Sequence, residues 1–214
     1  MSRRLLVKVC GLVRIRDAVA AVELGADLIG LNFFADSPRF VSPRRARAIA
    51  DRVRGAVKLV GVFVNAPETL IRAAIDDLGL DFVQLHGDEP PDFVRAIGPH
   101  AVKAFPLATR RDLAAIERFP CPNFHLLDAR APVRGGSGHR ANWSLAFEAA
   151  AQHRVFLAGG LTPENVATAI RAVRPYGVDV ASGVESAAGI KDAKKMDSFL
   201  VAVRATYSLR TPRR

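Results

Sequence analysis

Short apolar runs alternate along the chain with longer segments in which apolar residues recur at helical spacing. The runs are rich in β-branched residues and have the length of buried strands. Eight of them occur, at residues 5–9, 28–33, 58–64, 82–85, 101–105, 124–127, 155–158 and 177–181. Each is followed by a segment that predicts a helix, at residues 16–24, 43–53, 67–78, 90–97, 110–119, 143–152, 163–173 and 193–205.

The starts of two helices carry the clearest local signals. Ser42 and Thr162 each stand directly before a proline, so an oxygen that can cap a helix precedes a residue suited to the first turn. The helix that follows Thr162 has one apolar face, which is formed by Val166, Ala169, Ile170 and Val173. Such a stripe is typical of a helix that packs against a sheet.

The spacing of these units predicts a closed barrel. Spread over 214 residues, eight strand–helix units take about 27 residues each, enough for a strand, a helix and two short connections. We therefore predict a single-domain α/β fold, a (β/α)8 TIM barrel, at residues 1–207 and a basic, disordered tail at 208–214. A doubly wound open sheet is the alternative, but Cys10-Gly11-Leu12-Val13 lacks the glycine-rich turn of dinucleotide-binding sheets.

Composition narrows the class of protein. Half of the residues are hydrophobic and 24% are charged, which is typical of a folded globular chain. No apolar run approaches the roughly 20 residues of a membrane span, and the apolar stretch near the start is too short for a signal peptide. The two cysteines, Cys10 and Cys121, fall at opposite ends of the predicted barrel, so no disulfide is expected. We expect a cytoplasmic protein with no membrane partner.

The excess of basic residues suggests an alternative of a different class, a barrel that binds nucleic acid. The chain has 31 basic and 21 acidic residues, a formal net charge of +10. The basic residues are spread along the sequence, and only two tyrosines and one tryptophan are available to stack on bases. Because a basic surface also suits a small anionic substrate, we expect a small-molecule substrate and no nucleic-acid partner.

Polar residues at the carboxyl ends of the strands are the candidates for chemistry, because active sites of such barrels lie on that face. Cys10 ends the first strand and Asp128 follows the sixth. A thiol and a carboxyl that face each other across the mouth can serve as base and acid. The alternatives are an inert buried cysteine and an aspartate that caps a loop or pairs with Arg130. Lys8 or an electropositive mouth could favour the thiolate that a base requires.

Two glycine-containing turns follow the last two strands. Gly159-Gly160 comes after the seventh strand and Ser182-Gly183 after the eighth, and both offer bare backbone N–H groups. In these barrels that position holds phosphate, because N–H groups and helix N-termini suit an anion. A lone glycine pair can be just a tight turn, but two such turns after adjacent strands favour a ligand that carries a phosphate.

Three further polar side chains fall near strand ends. Arg39, after the second strand, could clamp a carboxylate with its planar guanidinium or simply be a surface arginine. His86, after the fourth strand, could contact a ligand or be a hydrogen-bonded strand-end histidine, and Asp179 lies near the end of the eighth strand. No metal is predicted, because metal-ligand spacing is lacking among His100, His125, His139 and His153.

The motifs around these residues, taken in order, are similar to those of one family. They are Lys8-Val9-Cys10-Gly11-Leu12, Ser37-Pro38-Arg39-Phe40-Val41, Gln84-Leu85-His86-Gly87-Asp88-Glu89, Leu127-Asp128, Gly135-Gly136-Ser137-Gly138, Ala158-Gly159-Gly160-Leu161-Thr162-Pro163-Glu164-Asn165-Val166, Asp179-Val180-Ala181-Ser182-Gly183-Val184-Glu185 and Gly189-Ile190-Lys191-Asp192-Ala193-Lys194-Lys195. Over residues 5–205 the chain resembles the phosphoribosylanthranilate isomerase family.

The resemblance implies a reaction of tryptophan biosynthesis that needs no cofactor: the Amadori rearrangement of N-(5-phosphoribosyl)anthranilate to 1-(2-carboxyphenylamino)-1-deoxyribulose 5-phosphate. It implies that Asp128 is the general acid and Cys10 the general base. Arg39 would hold the anthranilate carboxylate, and Asp179 and His86 would line the sugar pocket. The phosphate would be held by the backbone of Gly159, Gly160, Ser182 and Gly183.

Some positions depart from the family pattern, and other enzymes of similar fold are rivals. Val13 stands where threonine is usual, and Ala141-Asn142 where Phe-Asp is usual, so we expect effects on binding or loop mobility. A metal-dependent ribulose-phosphate epimerase would need strand-end His and Asp ligands that this chain lacks. A bifunctional histidine/tryptophan-pathway isomerase would pair two aspartates instead of Cys10 and Asp128. We expect a monomer, with a homodimer as the alternative.

Overall fold

The computed structural model describes residues 4–119, 123–128 and 142–208. The predictions that concern Cys121, Arg130, His139, Ala141 and the motif at residues 135–138 lie outside these ranges. So does the predicted tail from residue 209 onward.

Eight parallel strands close into a barrel. They are β1 Leu6–Cys10, β2 Leu28–Asn32, β3 Lys58–Phe63, β4 Phe82–Leu85, β5 Ala101–Pro106, β6 His125–Asp128, β7 Val155–Ala158 and β8 Gly177–Val180. Neighbours pair in chain order, and β8 closes the ring on β1 with Asp179 opposite Lys8. The predicted TIM barrel is confirmed, and an open sheet is excluded because the ring of eight strands is closed and has no edge strand.

Helices alternate with the strands. Within the described residues they are α1 Ile15–Glu23, α2 Pro43–Val53, α3 Glu68–Leu78, α4 Pro91–Ile97, α5 Arg110–Ile116, α6 Trp143–Gln152, α7 Val166–Val173 and α8 Ala193–Ser208. Pro43 occupies the first turn of α2 as predicted, although the Ser42 side chain makes no capping hydrogen bond. Helix α8 includes Ser208, the first residue assigned to the tail. None of the described helices has both the length and the apolar character that crossing a bilayer requires.

Helix α7 begins three residues later than predicted. Residues 163–165 form a turn, and the helix starts at Val166. The reason is the Asn165 side chain, whose Oδ1 accepts from the Thr162 N–H at 2.8 Å while its Nδ2 donates to the Gly160 carbonyl at 2.9 Å. These bonds tie the start of the segment to the preceding loop.

Two other differences concern short structures that periodicity does not detect. Helix α5 ends at Ile116 and not at residue 119, since the Phe119 N–H closes a tighter turn on the Ile116 carbonyl. After a 3₁₀ turn at Ser182–Val184, the strands β9 Glu185–Ala187 and β10 Ile190–Lys191 form a small antiparallel hairpin. Strands of three and two residues are too short to show an alternating pattern.

Side chains along each barrel strand alternate between the barrel interior and the shell of helices. The interior holds an apolar cluster that includes Leu28, Val60 and Phe156, and a larger cluster lies between the strands and the helices. Parallel strands buried on both faces explain why the runs are almost continuously apolar. The same alternation puts Lys8 and Cys10 on the inner face of β1, above the apolar interior.

Candidate active site

A cavity opens at the carboxyl ends of the strands and gathers the predicted site residues. Eight of the nine line it: Cys10, Arg39, His86, Asp128, Gly159, Gly160, Asp179 and Ser182. They come from six different strands or the loops that follow them, so closure of the barrel brings together residues that are distant in sequence. The ninth, Gly183, lies beside the cavity in the turn after β8.

Cys10 ends β1 as a buried free thiol. Burial raises the pKa of this thiol above its ordinary value, and the nearby Lys8 ammonium opposes that shift. Burial would lower the pKa of Lys8, but Asp179 and Cys10 raise it overall. The surroundings of Cys10 therefore favour the thiol over the thiolate, contrary to the expectation, because the effect of burial exceeds that of Lys8.

Asp128 ends β6, where its backbone is held between two neighbouring strands. It pairs with Pro106 of β5 and Ala158 of β7, and its carbonyl accepts from the Leu107 N–H at 3.0 Å. It shares the inner face of β6 with Leu126, and its half-buried carboxyl lines the cavity. A rigid strand end thus carries the acidic group.

A chain of hydrogen bonds crosses the barrel interior from β8 to β4. Lys8 Nζ donates to Asp179 Oδ1 and to Gln84 Oε1, at 3.0 Å in each case. Gln84 Nε2 lies 2.8 Å from His86 Nδ1. Partial enclosure at the mouth lowers the pKa of His86 below its ordinary value, although the Asp128 charge opposes this shift. The imidazole is therefore neutral at neutral pH.

Arg39 is held at the cavity edge by a carboxylate from the β9–β10 hairpin. Its Nε and Nη2 donate to the two oxygens of Glu185 at 2.8 and 2.6 Å. The buried Lys191 Nζ donates to Glu185 Oε1 at 2.8 Å. Burial would raise the pKa of Glu185, but Arg39 and Lys191 hold it below its ordinary value. The ionised carboxylate therefore orients the Arg39 guanidinium.

The two glycine-containing turns touch each other through their backbones. Gly159 and Gly160 have φ of +92° and +67°, values that favour glycine. A Cβ added to Gly183 would lie 1.8 Å from the Leu161 carbonyl oxygen, so only glycine allows this approach. The turns after β7 and β8 therefore form one continuous wall of the cavity.

Comparison with known proteins identifies the family. The family model described as N-(5'-phosphoribosyl)anthranilate isomerase matches residues 7–202, nearly the whole chain. The chain belongs to the phosphoribosylanthranilate isomerase family. The resemblance inferred from its motifs is thereby confirmed, together with the assignment to an isomerase.

The chain matches relatives and solved structures of phosphoribosylanthranilate isomerases over nearly its whole length. The Pelobacter propionicus N-(5'-phosphoribosyl)anthranilate isomerase is 43% identical over 203 residues, covering 94% of this chain and 97% of the relative. A Thermotoga maritima structure, described as monomers generated from a dimeric phosphoribosylanthranilate isomerase, has a TM-score of 0.83 at 36% identity. A phosphoribosylanthranilate isomerase in complex with reduced 1-(o-carboxyphenylamino)-1-deoxyribulose 5-phosphate gives the same two values. Each alignment covers 94% of this chain and 99% of the matched one.

Three polar side chains that line the cavity of this isomerase family member were not predicted as site residues: Gln84, Asn32 and Ser37. Gln84 could have been found, because it stands two residues before His86, so the two side chains point to the same side of the chain. Asn32 and Ser37 had no such signal. Asn32 Nδ2 donates to Ser37 Oγ at 3.1 Å, and that oxygen accepts from the Arg39 N–H at 3.1 Å, which orders the loop that carries Arg39.

A metal site would need several His, Cys, Asp or Glu side chains that converge on one point. Among the described residues, no group of three or more His, Cys, Asp and Glu side chains is arranged to hold one. Of the histidines considered from the sequence, His125 and His153 do approach each other, but as aromatic rings whose centroids are 5.5 Å apart.

Proposed function

We propose that this chain catalyses the Amadori rearrangement of N-(5'-phosphoribosyl)anthranilate by general acid–base catalysis, with Asp128 as the acid and Cys10 as the base. Membership of the phosphoribosylanthranilate isomerase family supports the reaction and the substrate. One observation carries the two roles: a thiol from β1 and a carboxyl from β6 line the same cavity.

The proposed reaction passes through an iminium and then an enolamine. Asp128 donates a proton to the furanose ring oxygen as the bond from that oxygen to C1 breaks, and the nitrogen lone pair forms the C1=N iminium. The Cys10 thiolate then removes the proton on C2, and the electrons of that C–H bond form the C1=C2 double bond of an enolamine. Protonation of C1 and loss of the C2 hydroxyl proton give the ketone. The iminium acidifies the C2 proton, so a modest base is enough.

Substrate binding uses the remaining residues of the cavity. The Arg39 guanidinium, held by Glu185, suits the anthranilate carboxylate. The backbone N–H groups of Gly159, Gly160, Ser182 and Gly183 suit the phosphate. Asp179 and His86 line the part of the cavity left for the sugar.

The pH dependence of activity follows from the burial of the base. Cys10 has to lose its proton before it can accept one from C2. Because burial raises the pKa of the Cys10 thiol, we expect kcat/KM to rise with pH and to level off only above the ordinary thiol range.

The test is the loss of substrate fluorescence on adding purified protein without metal. We expect the wild type to turn over, and Cys10→Ala and Asp128→Asn each to lose a factor on the order of 100 or more in kcat, as removal of a general acid or base does. Glu148→Gln, on the exposed surface of α6, is the control and should keep wild-type activity. A folded but inactive wild type would refute the reaction, and active variants would refute the roles.

A further inference from the structure

The hydrogen bonds around Gln84 determine which nitrogen of His86 carries its proton. A neutral imidazole has one N–H donor and one acceptor nitrogen, and its partners decide which is which. An ammonium group can only donate, so the Gln84 atom that Lys8 Nζ contacts at 3.0 Å has to be the carbonyl oxygen. The Gln84 amide NH₂ then faces His86 Nδ1 at 2.8 Å. Nδ1 accepts, and the proton lies on Nε2.

This arrangement cannot easily reverse. Lys8 is 0% exposed and Gln84 is 2% exposed, so neither side chain can exchange its partner for water. Lys8 is also held by Asp179 Oδ1 at 3.0 Å. Rotation of the Gln84 amide by 180° would turn its NH₂ toward the Lys8 ammonium and leave two donors facing each other, at the cost of a buried unsatisfied group.

We propose that Gln84 is a positioning residue that holds His86 as the neutral Nε2–H tautomer, so that the ring donates a hydrogen bond to an oxygen of the bound substrate. The proposal rests on the proposed function, because His86 lines the cavity that would hold the sugar. His86 Nε2–H thus offers the sugar a hydrogen-bond donor and not an acceptor. Lys8, through Gln84, sets that choice from the opposite side of the barrel.

The first test reads the tautomer directly. In ¹⁵N-labelled protein, the ring nitrogen shifts of His86, assigned by their absence in His86→Asn, should show an unprotonated Nδ1 and a protonated Nε2 at pH 7. In Gln84→Glu, one carboxylate oxygen can pair with Lys8 and the other can accept from a protonated Nδ1. We therefore expect Nδ1 to become protonated in this variant.

The same substitution should also shift the titration of His86. The charged groups that act on this ring are Asp128, Lys8, Asp179 and Lys103. A carboxylate at position 84 adds a negative charge in hydrogen-bond contact, so the NMR midpoint of His86 should move to higher pH than in the wild type. A midpoint that does not move would show that the side chain at position 84 does not contact the ring, and it would overturn the proposal.

Activity supplies the second test. At a pH above the NMR midpoint of His86 in the variant, where the ring is neutral and protonated only on Nδ1, Gln84→Glu should lower kcat/KM about tenfold. This is the effect of losing one hydrogen-bond donor to the substrate. The matched control is Gln152→Glu, the same chemical change on an exposed residue of α6, which should leave the His86 shifts and kcat/KM unchanged. If Gln84→Glu does not fold, Gln84→Asn replaces it, because the shorter amide cannot reach both Lys8 and His86 and should give a mixture of tautomers.

The outcomes separate this proposal from the proposed function. A wild-type ring protonated on Nδ1, or the same ring protonation in wild type and variant, would overturn the assignment of Gln84. A wild type with the Nε2–H ring that fails to turn over the substrate would refute the proposed reaction and still support the positioning by Gln84. An unchanged kcat/KM in a variant with altered ring protonation would overturn the hydrogen bond to substrate.

Discussion

His125 lies on the outer face of β6, away from the cavity. Its ring packs edge-on against Phe105 and His153, at centroid distances of 5.6 and 5.5 Å. The residue is 5% exposed, and its burial lowers its pKa to about 4. This histidine is therefore neutral in the folded protein over a pH range in which an unfolded chain would carry the charge.

The free energy of unfolding should depend on pH through His125. An unfolded histidine binds a proton below about pH 6.5, whereas His125 in the folded chain does so only below about 4. The unfolded state thus binds more protons in this window. The contribution of neutral His125 to the free energy of unfolding is fully present above pH 6.5. As the pH falls toward 4, this free energy decreases by up to about 3 kcal/mol.

Urea unfolding between pH 4.5 and pH 7 tests this window. The free energy of unfolding of the wild type should fall more steeply with decreasing pH than that of His125→Gln, which has no group to titrate at this position. Equal slopes in the two proteins would contradict the assignment. Comparing slopes also removes the constant effect of the substitution on packing.

The candidate acid and base could be found from the sequence because each ends an apolar run. The raised pKa of Cys10 could not be predicted, because it depends on the burial of the thiol and on the nearby charges. The Lys8 ammonium lowers this pKa, and the Asp179 carboxylate of β8, which is bonded to Lys8, raises it. Glu185 and Lys191 stand in recognisable motifs. Only the folded hairpin brings the Glu185 carboxylate into contact with both Lys191 and Arg39.

At the scale of elements, the β9–β10 hairpin supports the loop after β2. Glu185→Gln removes the charge that Arg39 and the buried Lys191 share. We expect KM to rise about tenfold with a smaller change in kcat, because the guanidinium loses its bidentate partner and its orientation. Since Arg39 keeps some access to water, the loss of stability should be about 2 kcal/mol, less than for a fully buried pair.

Steady-state kinetics and denaturant unfolding test the role of the hairpin. Glu148→Gln is the matched control, because Glu148 pairs with Arg110 at 3.0 Å on the surface, where an ion pair contributes less than about 1 kcal/mol. A Glu185→Gln protein with the KM of the wild type would show that the hairpin does not orient Arg39. A fall in kcat alone would point to the chemical step instead.

The order of the elements follows from periodicity, and their ends depend on contacts. Strand β4 and helices α2 and α6 have the predicted bounds. Helix α7 does not, because the Asn165 side chain bonds to the loop that precedes it. A local pattern of apolar residues shows which residues face a core. The end of a helix depends instead on the groups that hydrogen-bond to its terminal N–H and C=O groups.

At the largest scale, the monomer expected from the sequence stays a prediction. The large apolar side chains that are exposed among the described residues lie on separate elements or loops: Ile15, Phe40, Leu70, Phe147, Ile190 and Val201. Single exposed apolar residues are normal on monomeric proteins. Light scattering should therefore give 23.1 kDa at micromolar concentration. A mass of twice this value would establish the homodimer, the assembly that the Thermotoga maritima protein is described as having.

The net charge of +10 is also a property of the whole molecule. It suits an anionic substrate, because a basic surface raises the local concentration of anions. A cytoplasmic location and the absence of a nucleic-acid partner stay predictions from the sequence. Filter binding with RNA at low and high salt would reveal a second role by strongly salt-dependent retention.

The eightfold alternation, the barrel and the polar residues at its carboxyl end were predictable before folding, because strand and helix periods and strand ends are local properties. The family also followed from motifs in linear order. The folded barrel sets three features that no local pattern shows: the tautomer of His86, the raised pKa of Cys10 and the partner of Arg39. Each of these depends on charges and hydrogen bonds between strands that meet when the barrel closes, and burial makes those contacts strong.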